Sequence, residues 1–164
     1  VPPKRAWIYR HVQWLAQRNG VVLDFPAAHP FNPLGLLRLA VASDVQGLPN
    51  RYVCETLFRH VWQGGADAAD AQRLAVLTQT LSPVQDPGSA EVKAQLKAHA
   101  DEAIARDVFG VPSFEVDGKV FWGLDALPML RAYLEGDASL VGSDADTRWN
   151  RVHSWPSGIP ARSA

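Results

Sequence analysis

Apolar residues recur at helical spacing along most of the chain. Trp7, Ile8, Val12 and Leu15, with His11, fall on one face and predict a helix over residues 3–19, closed by Asn19-Gly20. Val21-Val-Leu-Asp-Phe25 is short, apolar and rich in β-branched residues, so a brief strand or an extended segment is expected there. Pro26 and Pro30 stop regular structure. Asn32-Pro33 then reads as an N-cap followed by proline at the first helical position. The helix it opens runs to about Val45, with Leu34, Leu37 and Val41 expected inside. Gly47-Leu-Pro49 separates it from a helix over about 50–62 that buries Val53, Leu57 and Val61 and ends at Gly64-Gly65. A third helix near 68–80 carries Leu74 and Leu77. Past the break from Ser82-Pro83 to Pro87-Gly88, Ser89 is placed to cap a longer helix reaching about Arg106. Its expected inner face is Val92, Leu96, Ala100, Ala103 and Ile104.

At Val108 the period changes from helical to alternating. Phe114 and Val116 alternate with Ser113 and Glu115, as in a half-buried strand. Asp117-Gly118 is a strong hairpin signal, because a type I′ turn needs positive φ at both central residues. Val120, Phe121 and Trp122 form the return strand, Gly123 breaks it, and Asp125 is placed to cap a helix over 126–135. That helix turns Leu127, Leu130 and Leu134 inward and stops at Gly136. Residues 137–164 gather Ser, Asp, Pro and Gly and read as an extended tail with Trp149 and Trp155 as its anchors.

Composition narrows the classes. The 164 residues, 47% of them hydrophobic with six Trp and six Phe, suit one domain with a substantial core. A net charge of −1 gives no argument for nucleic acid or an acidic membrane surface, and no apolar run approaches a membrane span. Cys54 is the one cysteine, so no intramolecular disulfide and no C-x-x-C cycle is available, which fits a cytoplasmic protein. It reads as a buried small hydrophobe in an amphipathic helix rather than a nucleophile. The five histidines lack metal-ligand spacing, and no metal site is expected.

Gly110-Val111-Pro112 is the unusual element. A proline entering a strand cannot donate to the ladder, which leaves the Val111 amide and carbonyl free. With a cis Val111–Pro112 bond, which is expected, the loop offers a backbone edge to a peptide-like ligand. An ordinary edge-strand proline accounts for the same residues without function.

Phe109-Gly-Val-Pro-Ser-Phe, Asp117-Gly and Phe121-Trp-Gly-Leu-Asp125, with Lys4 and Pro30-Phe-Asn-Pro33, resemble the 2-hydroxychromene-2-carboxylate isomerases. These are glutathione-dependent members of the DsbA-like thioredoxin superfamily, related to kappa-class glutathione transferases. The resemblance spans most of residues 2–135. It implies an α/β, thioredoxin-like (DsbA-like) fold with a large all-helical insertion at 26–105, and with 1–25 and 106–136 as the thioredoxin-like part. It also implies an opening β-α-β unit of roughly 50 residues ahead of Val1, beyond the minimum for such a unit. The expectation is either that the chain continues upstream or that it completes its sheet with another chain. The family's first β-α turn carries a serine that favours the glutathione thiolate at a helix N-terminus. Ser43, Ser82, Ser89 and Ser113 do not sit in that context, so no catalytic residue is assigned.

By the same resemblance, Val111 and Pro112 bind the cysteinyl part of glutathione in a strand-like contact. Trp122, Gly123, Leu124 and Asp125 receive its γ-glutamyl end, with Asp125 suited to the ligand ammonium. N-capping by Asp125 is the simpler role, and both can hold together. Lys4 and Arg5 would pair with a carboxylate of substrate or glutathione, or be a solvated helix start. Phe31 and Asn32 would hold an oxygenated aromatic acid, or Asn32 would be only a helix cap. Two positions depart from the family pattern: His11 stands where Asp is frequent, and Asp107 where Gly is usual. Asp tolerates the left-handed conformation at some cost, so the turn at 107 is expected to survive.

The function implied is glutathione-dependent cis-trans isomerisation of an aromatic-pathway carboxylate. The thiolate adds to a conjugated carbonyl compound, the former double bond rotates, and thiolate expulsion gives the trans isomer. Glutathione is then a cofactor, the substrate a small aromatic molecule, and a homodimer is the possible assembly. A kappa-like transferase, which consumes glutathione, is the alternative within the fold. A non-catalytic thioredoxin-like remnant or interaction module is the alternative outside enzymology.

Overall fold

The computed structural model describes residues 2–142. The expected anchors Trp149 and Trp155 lie outside these. The described chain forms α1 (Pro2–Arg18), α2 (Leu34–Ala42), α3 (Arg51–Trp62), α4 (Ala71–Leu81), α5 (Ala90–Ala105), β1 (Ser113–Val116), β2 (Lys119–Trp122), a 3-10 turn (Leu124–Ala126) and α6 (Leu127–Leu134). It divides inside α5 into two compact units, Val1–Asp101 and Glu102–Ala164.

In the first unit the helix starts are built by side chains. Asn50 accepts from the Val53 N–H at 3.0 Å, Asp70 from Arg73 at 2.8 Å and Ser89 from Val92 at 3.2 Å. Each satisfies a helix N–H that has no intrahelical partner. The core is Leu36, Leu39, Val61, Ala68 and Leu77, with Phe31, Leu57, Trp62, Leu74 and Leu81 packed on it. Val41, Ala42 and Val92 form a second cluster that Leu96 covers.

The expected inner face of α2 was rotated. Leu34 and Leu37 are 44% and 43% exposed, whereas Leu36 and Leu39 are buried beside Val41 and Ala42. Its sequence Leu-Gly-Leu-Leu-Arg-Leu-Ala-Val-Ala is apolar on nearly every side, so spacing cannot choose which side meets α3 and α4. Along α5, Val92 is buried but Ala100 and Ile104 are exposed. The α1 face is present but uncovered: Trp7, Ile8 and Val12 are exposed, and no residue of the helix is buried.

Val21–Phe25 forms no strand among the described residues. A strand needs a partner ladder, and among the described residues the one sheet is β1 with β2, while two of the five N–H groups here are drawn to helices. The Val21 N–H donates to Ala16 O, the Asp24 N–H donates to Trp62 O, and Asp24 Oδ2 accepts from the Gly64 N–H. Cys54 is half-buried in α3, with Sγ 3.9 Å from the Pro49 carbonyl.

In the second unit the hairpin pairs Ser113 with Trp122, Phe114 with Phe121, Glu115 with Val120 and Val116 with Lys119. Asp117 and Gly118 both have positive φ, 52° and 72°, as a type I′ turn requires. The hairpin is less buried than expected. Phe121 is 2% exposed, but its partner Phe114 is 38% exposed. Phe121 packs against Tyr133, ring centroids 5.4 Å apart. Tyr133 therefore forms the inner face of α6, while Leu127 and Leu134, expected inward, are exposed.

Candidate functional site

The loop before β1 is set up by the end of α5. The Asp107 N–H donates to Ile104 O and the Val108 N–H to Ala103 O, with Asp107 left-handed at φ 56°. Asp thus does what glycine commonly does at a helix C-terminus. The Val111–Pro112 bond is cis, as expected. Pro112 O accepts from the Gly123 N–H at 2.9 Å, which carries the hairpin ladder one step past Ser113 and Trp122.

Val111 stands out of this loop, 87% exposed. Among the described residues nothing hydrogen-bonds its N–H or its carbonyl. Phe109 and Leu124, 73% and 57% exposed, add apolar surface in the same unit. The Phe109 ring lies 5.3 Å from that of Trp122. The edge anticipated from proline's missing N–H is therefore present, bounded by Pro112, Trp122 and Gly123.

Asp125 does not cap α6. It lies within the 3-10 turn, and α6 has no side-chain cap. A cap at Asp125 would accept from the N–H two or three residues on, but the Leu127 N–H is given to Leu124 O and Pro128 has none. The Asp125 carboxylate instead folds back over Gly123, whose φ is 96°. The positive φ is what calls for glycine at 123; a Cβ there would also meet Asp125 Oδ1, the free end of an exposed side chain that can move aside. No described residue hydrogen-bonds this carboxylate, which leaves it available to a cation.

Lys4, Arg5, Phe31 and Asn32 belong to the first unit. Lys4 is exposed in the first turn of α1, without a partner among the described residues. Arg5 Nη2 donates to the His29 carbonyl at 3.0 Å, and its guanidinium lies 5.5 Å from the Tyr9 ring centre. Phe31 packs on the core. Asn32 Oδ1 accepts from the Leu34 N–H at 3.0 Å, so Asn32 caps the first N–H of α2 from one residue ahead of Pro33. Its Nδ2 makes no bond among the described residues.

Sequence reasoning missed a feature of this unit. A groove of about 490 Å³ lies between α1 and α3, floored by Val21, Val22 and Phe25 and walled by Ile8, Phe58 and Trp62. At one side the Tyr9 hydroxyl is 2.5 Å from His29 Nδ1, and the His29 ring is 5.5 Å from that of Trp62. The available signal was Tyr9 one turn after Arg5, with His29 directly before Pro30-Phe-Asn. His11 and His60 have structural contacts on their helices. His60 Nε2 lies 3.0 Å from the Ala68 carbonyl, and His11 stacks between Trp7 and Trp14. Among the described residues no group of side chains could hold a metal ion, and no helix is long and apolar enough to cross a membrane.

Residues 1–135, which include the cis-proline loop, the hairpin and α6, match one family model, the DSBA-like thioredoxin domain. The chain belongs to the DsbA-like thioredoxin family. A solved relative of this DsbA-like chain is a selenomethionine 2-hydroxychromene-2-carboxylate isomerase, with a TM-score of 0.67 and 22% identity over 89% of this chain and 71% of that one. At that identity the likeness is one of fold. Comparison with curated proteins gives no match.

Proposed function

We propose that this DsbA-like chain is a glutathione-dependent cis-trans isomerase of a small aromatic carboxylate, similar to 2-hydroxychromene-2-carboxylate isomerase. The observation that carries the reading is the Val111 backbone, a donor and an acceptor on one 87% exposed residue, in the same small unit as the Asp125 carboxylate, both without a hydrogen-bond partner among the described residues. An extended tripeptide offers the complement: a backbone amide pair at its cysteine and an ammonium at its γ-glutamyl end. The residues fit that ligand. Val111 and Pro112 hold the cysteinyl segment. Trp122, Gly123, Leu124 and Asp125 hold the γ-glutamyl end, with Asp125 on the ammonium. Bound glutathione supplies the thiolate that adds reversibly to a conjugated carbonyl compound. Lys4, Arg5, Phe31 and Asn32 are the substrate contacts of this reading: cations for a carboxylate, a ring and an amide for an oxygenated aromatic. The protein is assigned to the cytoplasm, where glutathione is reduced, and a homodimer is its proposed assembly.

Calorimetric titration with glutathione tests the reading. Saturable binding is expected, and Asp125→Ala should weaken it about tenfold, the worth of one charge-assisted hydrogen bond. Absence of binding at millimolar glutathione defeats the proposal. Turnover of a cis-configured aromatic oxo acid with no loss of glutathione identifies an isomerase; stoichiometric loss identifies a kappa-like transferase.

A further inference from the structure

The structure also indicates what aims the Val111 edge. We propose that Gly110, Ser113 and Trp122 are positioning residues that fix the direction of the Val111 N–H; the inference rests on the glutathione reading above. A residue 87% exposed is not held by its own packing. Its amide direction is set by the Gly110–Val111 peptide plane. In a trans peptide the carbonyl oxygen and the amide hydrogen point to opposite sides of the plane. Holding the Gly110 oxygen therefore directs the Val111 N–H.

That oxygen is held. Ser113 Oγ–H donates to Gly110 O at 2.6 Å. It is the one side-chain hydrogen bond onto residues 109–112 among the described residues. Ser113 lies in β1 directly opposite Trp122, so its hydroxyl is carried by the ladder rather than by the loop.

The second constraint is steric. A Cβ on Gly110 would collide with Trp122 Nε1 and lie 3.1 Å from both Cδ1 and Cε2. Gly110 has no positive φ, so its backbone does not demand glycine. Glycine is needed there only for room, because the indole lies against its α-carbon. The indole fills the space beside the Gly110 α-carbon while the Ser113 hydroxyl holds the Gly110 oxygen. Trp122 thus acts through Gly110 as well as in the γ-glutamyl contact assigned above.

Glutathione affinity is measured by calorimetry on the full chain and on Ser113→Ala, Ser113→Thr, Gly110→Ala, Trp122→Ala and the Gly110→Ala/Trp122→Ala pair. Circular dichroism checks that each is folded. Ser113→Ala is expected to bind about fivefold more weakly, the effect of one hydrogen bond, and Ser113→Thr, which keeps the hydroxyl, to bind as the parent does. Trp122 is 53% exposed and its indole has room to swing outward, so Gly110→Ala should fold. Without ligand, Gly110→Ala should shift the Trp122 indole N–H resonance. With ligand it should bind weakly, and the pair should bind no worse than Trp122→Ala alone, since the collision is gone. Ser113→Ala binding as tightly as the parent, or additive losses in the pair, overturn this assignment and leave the glutathione reading intact. A parent chain that binds no glutathione overturns both.

Discussion

The Tyr133 hydroxyl donates to Asp117 Oδ2 at 2.8 Å and ties α6 to the hairpin turn. Asp117 is a turn residue held at φ 52°, and Tyr133 is the buried residue of α6. The bond locks the tip of the hairpin while the Phe121–Tyr133 ring contact locks its return strand. The two contacts together hold the hairpin that presents the Val111 loop.

This bond has a pH signature. The Tyr133 phenol is shifted above its ordinary value, first because its proton is donated to Asp117 and then by burial. A group whose folded pKa is raised stabilises fully below the unfolded value, about 10 for tyrosine, and loses that contribution as pH rises through the folded value. Thermal midpoints should therefore fall in alkali, beginning near pH 10. Tyr133→Phe should have a lower midpoint at neutral pH and a smaller alkaline drop. Equal alkaline drops in the two proteins would remove Tyr133 from the explanation.

The rotated face of α2 gives a paired test by urea denaturation. Leu39 is 2% exposed, so Leu39→Ala should cost about 2–5 kcal/mol. Leu37 is 43% exposed, so Leu37→Ala should stay within about 1 kcal/mol. Comparable losses at both positions would mean that the helix presents a different side.

Gly118 has φ 72° at the second central position of the turn. Gly118→Ala should cost about 1–2 kcal/mol, because a Cβ meets the following carbonyl in that conformation. Nothing lies within 4 Å of a Cβ built there, so the loss would be conformational and not a clash. Chemical denaturation measures it, and Gly118→Asn should lose less than Gly118→Ala.

Asn50 caps α3 through the Val53 N–H. Asn50→Ala should cost about 1 kcal/mol and Asn50→Asp a few tenths at most. Val53 is itself buried, so loss of the cap leaves a buried donor without its partner. Hydrogen exchange at the Val53 amide should rise in Asn50→Ala and stay slow in Asn50→Asp.

What the sequence determined by itself is local. Helix order, the hairpin, its turn type, the left-handed Asp107 and the free edge at Val111 all follow from constraints spanning a few residues: apolar spacing, a proline's missing N–H, a pair of residues tolerant of positive φ. Pro128 also removed one of the two donors an Asp125 cap could use, a local fact that was there to be read. Tertiary structure decided the rest. Which side of α2 is buried depends on where α3 and α4 lie. Tyr133, not the leucines of α6, faces inward because Phe121 and Asp117 meet it there. Val21–Phe25 is not a strand because pairing requires a second chain segment at the right distance, which no pattern within five residues can supply. The Ser113–Gly110 bond and the indole against Gly110 depend on strand register, and register becomes visible only when two strands are laid side by side.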